Sequence, residues 1–222
     1  MRSGGLKCRL RRKRKRKSHP LYGKGATGGF NTTRIRTIHA TRNGERKLIE
    51  VKITDKMLLA GRKKATEMGL LHNSILRGGG SIAGFLGEQI VLNVMGGKWD
   101  NSYDYDIVLG DGRRVEVKTK QTSAVPLPHY SCSISNFNTR QDCDIYAFTR
   151  VLKDFSKGWF LGYMPKKEYF DKSKFMKKGD FDPDNGYEVR ADCYNLYIED
   201  LRDVQDAGND MFPTSAGLMS NL

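Results

Sequence analysis

Asp104, Asp106, Glu116, Lys118 and Lys120 fall within one short stretch of this 222-residue chain. The stretch reads Tyr103-Asp104-Tyr105-Asp106-Ile107-Val108-Leu109, then Gly110-Asp111-Gly112, then Arg113-Arg114-Val115-Glu116-Val117-Lys118-Thr119-Lys120. Asp-Gly between two alternating runs predicts an antiparallel hairpin. Period two puts Asp104, Asp106 and Val108 on one face of its first strand. On the second strand Glu116, Lys118 and Lys120 share a face, with Val115 and Val117 on the other. A turn centred on 110–112 sets Asp106 opposite Glu116. Neighbouring carboxylates repel, and one pKa rises unless a cation neutralises them. A hard divalent ion such as Mg²⁺ suits two carboxylates and a main-chain carbonyl. It would polarise a phosphate oxygen and activate a water near neutral pH. Lys118 would orient that water or stabilise charge developing on the phosphate. Asp104 is the rival for the first ligand position, on the same face but farther from Glu116. The plain alternative is the charged outer face of a solvated hairpin.

The elements that must hold this hairpin are legible on both sides of it. Thr54-Asp55 reads as an N-cap, and Met57, Leu58, Ala65 and Met68 predict a helix over 55–68 that stops at Gly69. Gly78-Gly79-Gly80 is a loop, and Ser81 caps a second helix over 82–95, ended by Gly96-Gly97. Glu88 is the one charged residue of that helix, and a carboxylate in an apolar helix is expensive unless something pairs with it. It is a further candidate ligand, or an anchor for a bound water. Cys143–Phe148 and Trp159–Met164 predict two more strands, with 153–157 as their turn. Thr33–Ala40 and Leu48–Ile53, separated by Asn43-Gly44, predict another hairpin, decorated by Arg34 and Arg36.

Glu88 on a helix, then Asp106, then Glu116-Val117-Lys118 resembles the PD-(D/E)XK nuclease superfamily, with Tyr105-Asp106 where that motif has Pro-Asp. The resemblance covers residues 54–200 and extends to phage-encoded and restriction-endonuclease-like members. It implies an α/β fold with a central mixed β-sheet flanked by helices. It also implies Mg²⁺-dependent hydrolysis of a DNA phosphodiester, leaving 5′-phosphate and 3′-hydroxyl, with Mn²⁺ able to substitute. Carried over by position, Asp106 and Glu116 are metal ligands, Glu88 is the helix acid and third candidate ligand, and Lys118 is the catalytic lysine.

Charge is distributed unevenly. Residues 1–47 hold 16 of the 39 Lys and Arg but one of the 25 Asp and Glu, a net of +15; residues 48–222 hold 23 basic and 24 acidic residues, a net of −1. Eight of the nine residues in Arg9-Leu10-Arg11-Arg12-Lys13-Arg14-Lys15-Arg16-Lys17 are cationic. Such a block repels itself, cannot build a core, and binds polyanions with salt-sensitive, sequence-blind affinity. A nuclear-import signal is the alternative reading. Arg9, Arg11, Arg12, Lys13, Arg14, Lys15, Arg16, Lys17, Arg34, Arg36 and Lys120 are therefore the candidate nucleic-acid contacts. The expected organisation is a disordered basic arm and Gly-rich linker (1–30), a basic β-hairpin (31–53), a nuclease-like domain (54–205) and a flexible tail (206–222).

Other patterns carry less. Gly23-Lys24-Gly25-Ala26-Thr27-Gly28 matches a dinucleotide fingerprint but lacks the preceding strand and following helix. Asp180, Asp182 and Asp184 begin like a calcium loop, but Asn185 takes the glycine position. No apolar run is long enough for a membrane span, and the basic start lacks the apolar run of a signal peptide. The four cysteines form no C-x-x-C pair, which fits a reducing, intracellular setting. DNA is the expected partner, and cutting both strands calls for two sites, which a homodimer would supply.

Overall fold

A computed structural model describes residues 35–37, 48–68, 81–100, 102–183 and 186–204. The arm at 9–17, Arg34, the Gly-rich linker and the tail beyond 204 lie outside the described residues, and Arg36 is described by its backbone alone.

Two helices open the domain: α1 over Asp55–Met68 and α2 over Ser81–Met95. The cap expected at α1 is present, with Thr54 Oγ1 accepting the Met57 N–H at 3.3 Å. Gly96 ends α2 at φ +74°, donating to Leu92 O at 3.0 Å, a conformation that glycine adopts without strain.

Seven strands form a mixed central sheet: β1 (Ile35–Thr37), β2 (Ile49–Lys52), β3 (Lys98–Trp99), β4 (Ile107–Val108), β5 (Arg114–Thr122), β7 (Ile145–Leu152) and β8 (Lys157–Pro165). Their spatial order is β1-β2-β8-β7-β5-β4-β3. β5 and β7 run parallel, while every other neighbouring pair is antiparallel. β1 and β2 pair antiparallel, Ile35 with Val51 and Thr37 with Ile49, while the Asn43-Gly44 turn expected between them lies outside the described residues. β2 continues onto β8, so the basic hairpin is an edge of the central sheet.

A second sheet, ordered β6-β12-β9, is made of β6 (Ser131–Ser135), β9 (Lys174–Met176) and β12 (Cys193–Tyr197). A short helix, α3 (Lys166–Lys172), contacts β7, β8 and β12. The two-stranded ribbon β10 (Phe181–Asp182) and β11 (Tyr187–Glu188) occupies the calcium-loop candidate, consistent with a turn.

Alternation along the strands divides the apolar residues between two cores. Val115, Val117, Ile145 and Ala147 pack with Leu86, Ile90 and Val91 of α2. Tyr146, Phe148, Trp159 and Leu161 pack on the other face with Ile134, Tyr169 and Leu196. The chain is thus mixed α/β, with helices on the central sheet. Cys132, Cys143 and Cys193 are buried. Among the described residues no helix is long and apolar enough to cross a membrane.

Candidate active site

The site begins with a turn. Gly112, at φ +87°, donates to Leu109 O at 3.0 Å, and Leu109 N–H reaches Arg113 O at 2.9 Å. That closure sets the register Ile107 with Val115 and Val108 with Arg114; the ladder stops there, and Asp106 is close enough to Glu116 to feel its charge. The first strand is shorter than expected, however, and pairs only over Ile107–Val108. Ser102 is the physical reason: its hydroxyl accepts from Asp104 N–H at 3.2 Å and from Tyr105 N–H at 3.0 Å, folding 102–105 into a turn. Asp104 lies in that turn, outside the ladder, and Asp106 is the carboxylate brought to Glu116.

Asp106 is fixed by main chain at both ends. Its N–H donates to Val115 O at 3.0 Å, and its Oδ2 accepts the Val117 N–H at 2.8 Å. Burial holds its carboxyl well above the usual carboxylate range; the negative charges of Glu116 and then Glu88 push the same way, against the Val117 N–H and Lys118. Glu116 is only 8% exposed, and its Oε1 accepts from Lys118 Nζ at 2.7 Å.

Lys118 also donates to Gln141 Oε1 at 2.9 Å. Gln141 follows a 3-10 turn over Asn136–Arg140, and its carbonyl accepts from Lys166 Nζ. Cys143 lies close by: burial first, then Glu116's charge, pushes its thiol up to about 11, so it stays protonated at neutral pH.

Glu88 reaches this region from α2, and one glycine, Gly87, lets it do so. A Cβ at Gly61, where α1 packs on Leu86, would make only ordinary contact at 3.7 Å. Gly87 is tighter: a Cβ there would lie 1.9 Å from Thr119 Oγ1 and 2.5 Å from Thr149 Oγ1, so glycine alone permits α2 to lie this close to β5 and β7. Glu88 is 7% exposed, and its Oε2 accepts from Lys64 Nζ on α1 at 3.0 Å. The Lys64 ammonium stands 4.2 Å from the Trp99 ring centroid and 4.7 Å from that of Phe85. Burial raises the Glu88 pKa; the charge and hydrogen bond of Lys64 oppose that, and the charge of Glu116 adds to it.

Lys64 is thus the partner that the buried carboxylate of α2 demands. The three acids expected to ligate a metal do not converge as one cluster: among the described residues no group of three His, Cys, Asp or Glu side chains is placed to hold an ion. Glu88 is turned to Lys64 and reaches Asp106 and Glu116 through its charge. No protein-family model and no curated protein matches this chain.

The remaining two carboxylates still fit a magnesium ion by donor chemistry. Mg²⁺ is commonly held by one or two carboxylates, with waters and substrate phosphate completing its shell. Asp106 Oδ2 and Glu116 Oε1 are engaged by protein donors, which leaves one oxygen on each for a cation.

Lys120, expected at the DNA surface, is half-buried and donates to Ser133 Oγ at 2.9 Å and Ser131 O at 3.1 Å on β6. Thr122, the last residue of β5, is buried, and its hydroxyl donates to Ala124 O at 2.8 Å. Lys64 and Gln141 were not found from the sequence. Neither lies in a motif, and each meets its partner across more than 20 residues of chain.

Proposed function

We propose that the protein is a metal-dependent DNA endonuclease that hydrolyses phosphodiester bonds at Asp106, Glu116 and Lys118. The observation that carries this reading is the sheltered pair of neighbouring carboxylates with an ammonium 2.7 Å from one of them. The order of elements supports it too: an acid-bearing helix, a tight hairpin, then a parallel partner strand, as in restriction-endonuclease-like nucleases.

Asp106 and Glu116 would hold Mg²⁺ through their unengaged oxygens, with Mn²⁺ as substitute. A bound ion of this kind supplies Lewis-acid polarisation of a phosphate oxygen. Lys118, tethered by Glu116 and Gln141, places a positive charge beside the substrate phosphate and stabilises negative charge that builds there. Glu88 acts at one remove, its charge raising the affinity of the pair for a cation. The basic arm at 9–17, with Arg34 and Arg36, supplies sequence-blind attraction for the DNA backbone.

A second reading, a non-catalytic nucleic-acid-binding protein on the same scaffold, draws on the ion pairs Lys64–Glu88 and Lys118–Glu116, which neutralise two of the acids without a metal. Nicking of supercoiled plasmid separates the two. The nuclease reading expects nicking with Mg²⁺ or Mn²⁺, none in EDTA, and at least a 100-fold loss in Asp106→Ala, Glu116→Ala and Lys118→Ala, the size of effect typical of removing a transition-state charge contact. Salt-sensitive binding without turnover in any divalent metal would establish the scaffold reading instead.

A further inference from the structure

On the face of β5 away from α2, a cleft of about 960 Å³ opens beside β6, large enough for a nucleotide-sized ligand. Its lining includes four basic side chains, Lys118, Lys120, Arg150 and Arg190, against one acidic side chain, Glu188. Two of the four are direct neighbours: Lys120 on β5 and Arg150 on β7 are opposite each other in the parallel register. Like charges placed across strands are destabilising.

Neither cation forms a salt bridge with a carboxylate among the described residues. Lys120 donates only to oxygens of Ser131 and Ser133. Arg150 donates to Ser131 O at 3.1 Å, stacks 4.9 Å from the Tyr130 ring centroid, and leaves its Nε without a hydrogen-bond partner. Burial, then the charge of Arg150, brings Lys120 down to about 8, with Asp182 opposing last among the causes. Burial also lowers Arg150. This is the acid pair of the candidate active site with the sign reversed, and an anion resolves it as a cation resolves the other.

Lys120 follows Lys118 by two residues on the same strand face, which is about 6.6 Å along β5. Neighbouring phosphates of an extended nucleic-acid strand are separated by a similar distance.

We propose that Lys120 and Arg150 form a phosphate-binding site one nucleotide step from Lys118, occupied by a second phosphate group of the strand being cut. The identity of the ligand rests on the nuclease reading; the cation pair does not.

The test uses the full chain in EDTA, where no hydrolysis interferes. Thermal unfolding is followed against inorganic phosphate, with chloride at matched ionic strength as control. The wild type is expected to gain stability saturably, and Lys120→Met and Arg150→Met to lose at least tenfold in apparent phosphate affinity, while Arg150→Lys keeps most of it. A 5′-phosphorylated oligonucleotide and its 5′-hydroxyl twin then separate the sources. Tighter binding of the first assigns the site to a strand end; equal binding that both methionine variants weaken tenfold assigns it to an internal phosphate. The basic arm is common to every variant and cancels from the comparison. Absence of saturable stabilisation in the wild type overturns the proposal without recourse to any variant, and so does unchanged affinity in two folded methionine variants. Saturable phosphate binding by a wild type that never cleaves would end the nuclease reading and leave this site standing.

Discussion

Asp106 concentrates the electrostatic strain of the molecule in one carboxyl, and its titration gives a signed prediction. Its pKa is raised in the folded chain by burial, Glu116 and Glu88, so the folded state holds this proton at pH values where the unfolded chain has released it. Stability contributed by the proton is present below the unfolded value and is lost as pH rises through the folded one. Asp106→Asn, which keeps an acceptor for the Val117 N–H, is therefore expected to be more stable than the wild type in metal-free buffer at pH 7 to 8. The advantage should shrink toward pH 4. Thermal unfolding of both proteins across that range checks it, and an advantage that grows on acidification would mean that Asp106 is not the strained acid. The local residue logic was largely readable in advance. Gly110-Asp111-Gly112 sets the hairpin register, and Asp106, just before the paired residues, lies within reach of the charge of Glu116. Lys64 was not readable, because the demand of Glu88 for a cation names no position; only the packing of α1 on α2 does so.

At the scale of elements, α2 depends on one glycine. Gly87 lies against the bonded hydroxyls of Thr119 and Thr149, 2.8 Å apart, with no room for a methyl group. Gly87→Ala is expected to cost about 3 kcal/mol, the upper range for overpacking a core, measurable by urea denaturation, and to move Glu88 and lower activity with it. A cost below about 0.5 kcal/mol, within the range of ordinary surface changes, would show that α2 can retreat freely. Helices α1 and α2 and the β7–β8 pair were legible from capping residues and alternation, while the seven-residue α3 was not. The β4 strand was overextended, because alternation at 103–106 continues through residues that the Ser102 hydroxyl bends into a turn. The three-stranded sheet went unread for a different reason: β6 and β12 are five-residue segments about 60 residues apart, and each gains its partner only through tertiary folding.

Across the whole molecule, charge and chemistry are divided between two regions. A nearly neutral body carries the carboxylates, and the cationic start of the chain carries the attraction for polyanions. Deleting residues 1–17 removes the eight-charge block at 9–17. If all eight charges contact phosphates, the slope of log affinity against log salt should fall by about 7, with turnover at saturating DNA little changed. An unaltered slope would assign the block to another role. The body, in turn, makes its claim in one place, the shared ion of Asp106 and Glu116. Titration of the full-length protein with Mn²⁺, following the free ion by electron paramagnetic resonance, addresses that claim most directly. One ion bound per chain, and lost in both Asp106→Asn and Glu116→Gln, is the predicted result. Wild-type binding in either variant, or no bound ion in the wild type, would contradict it.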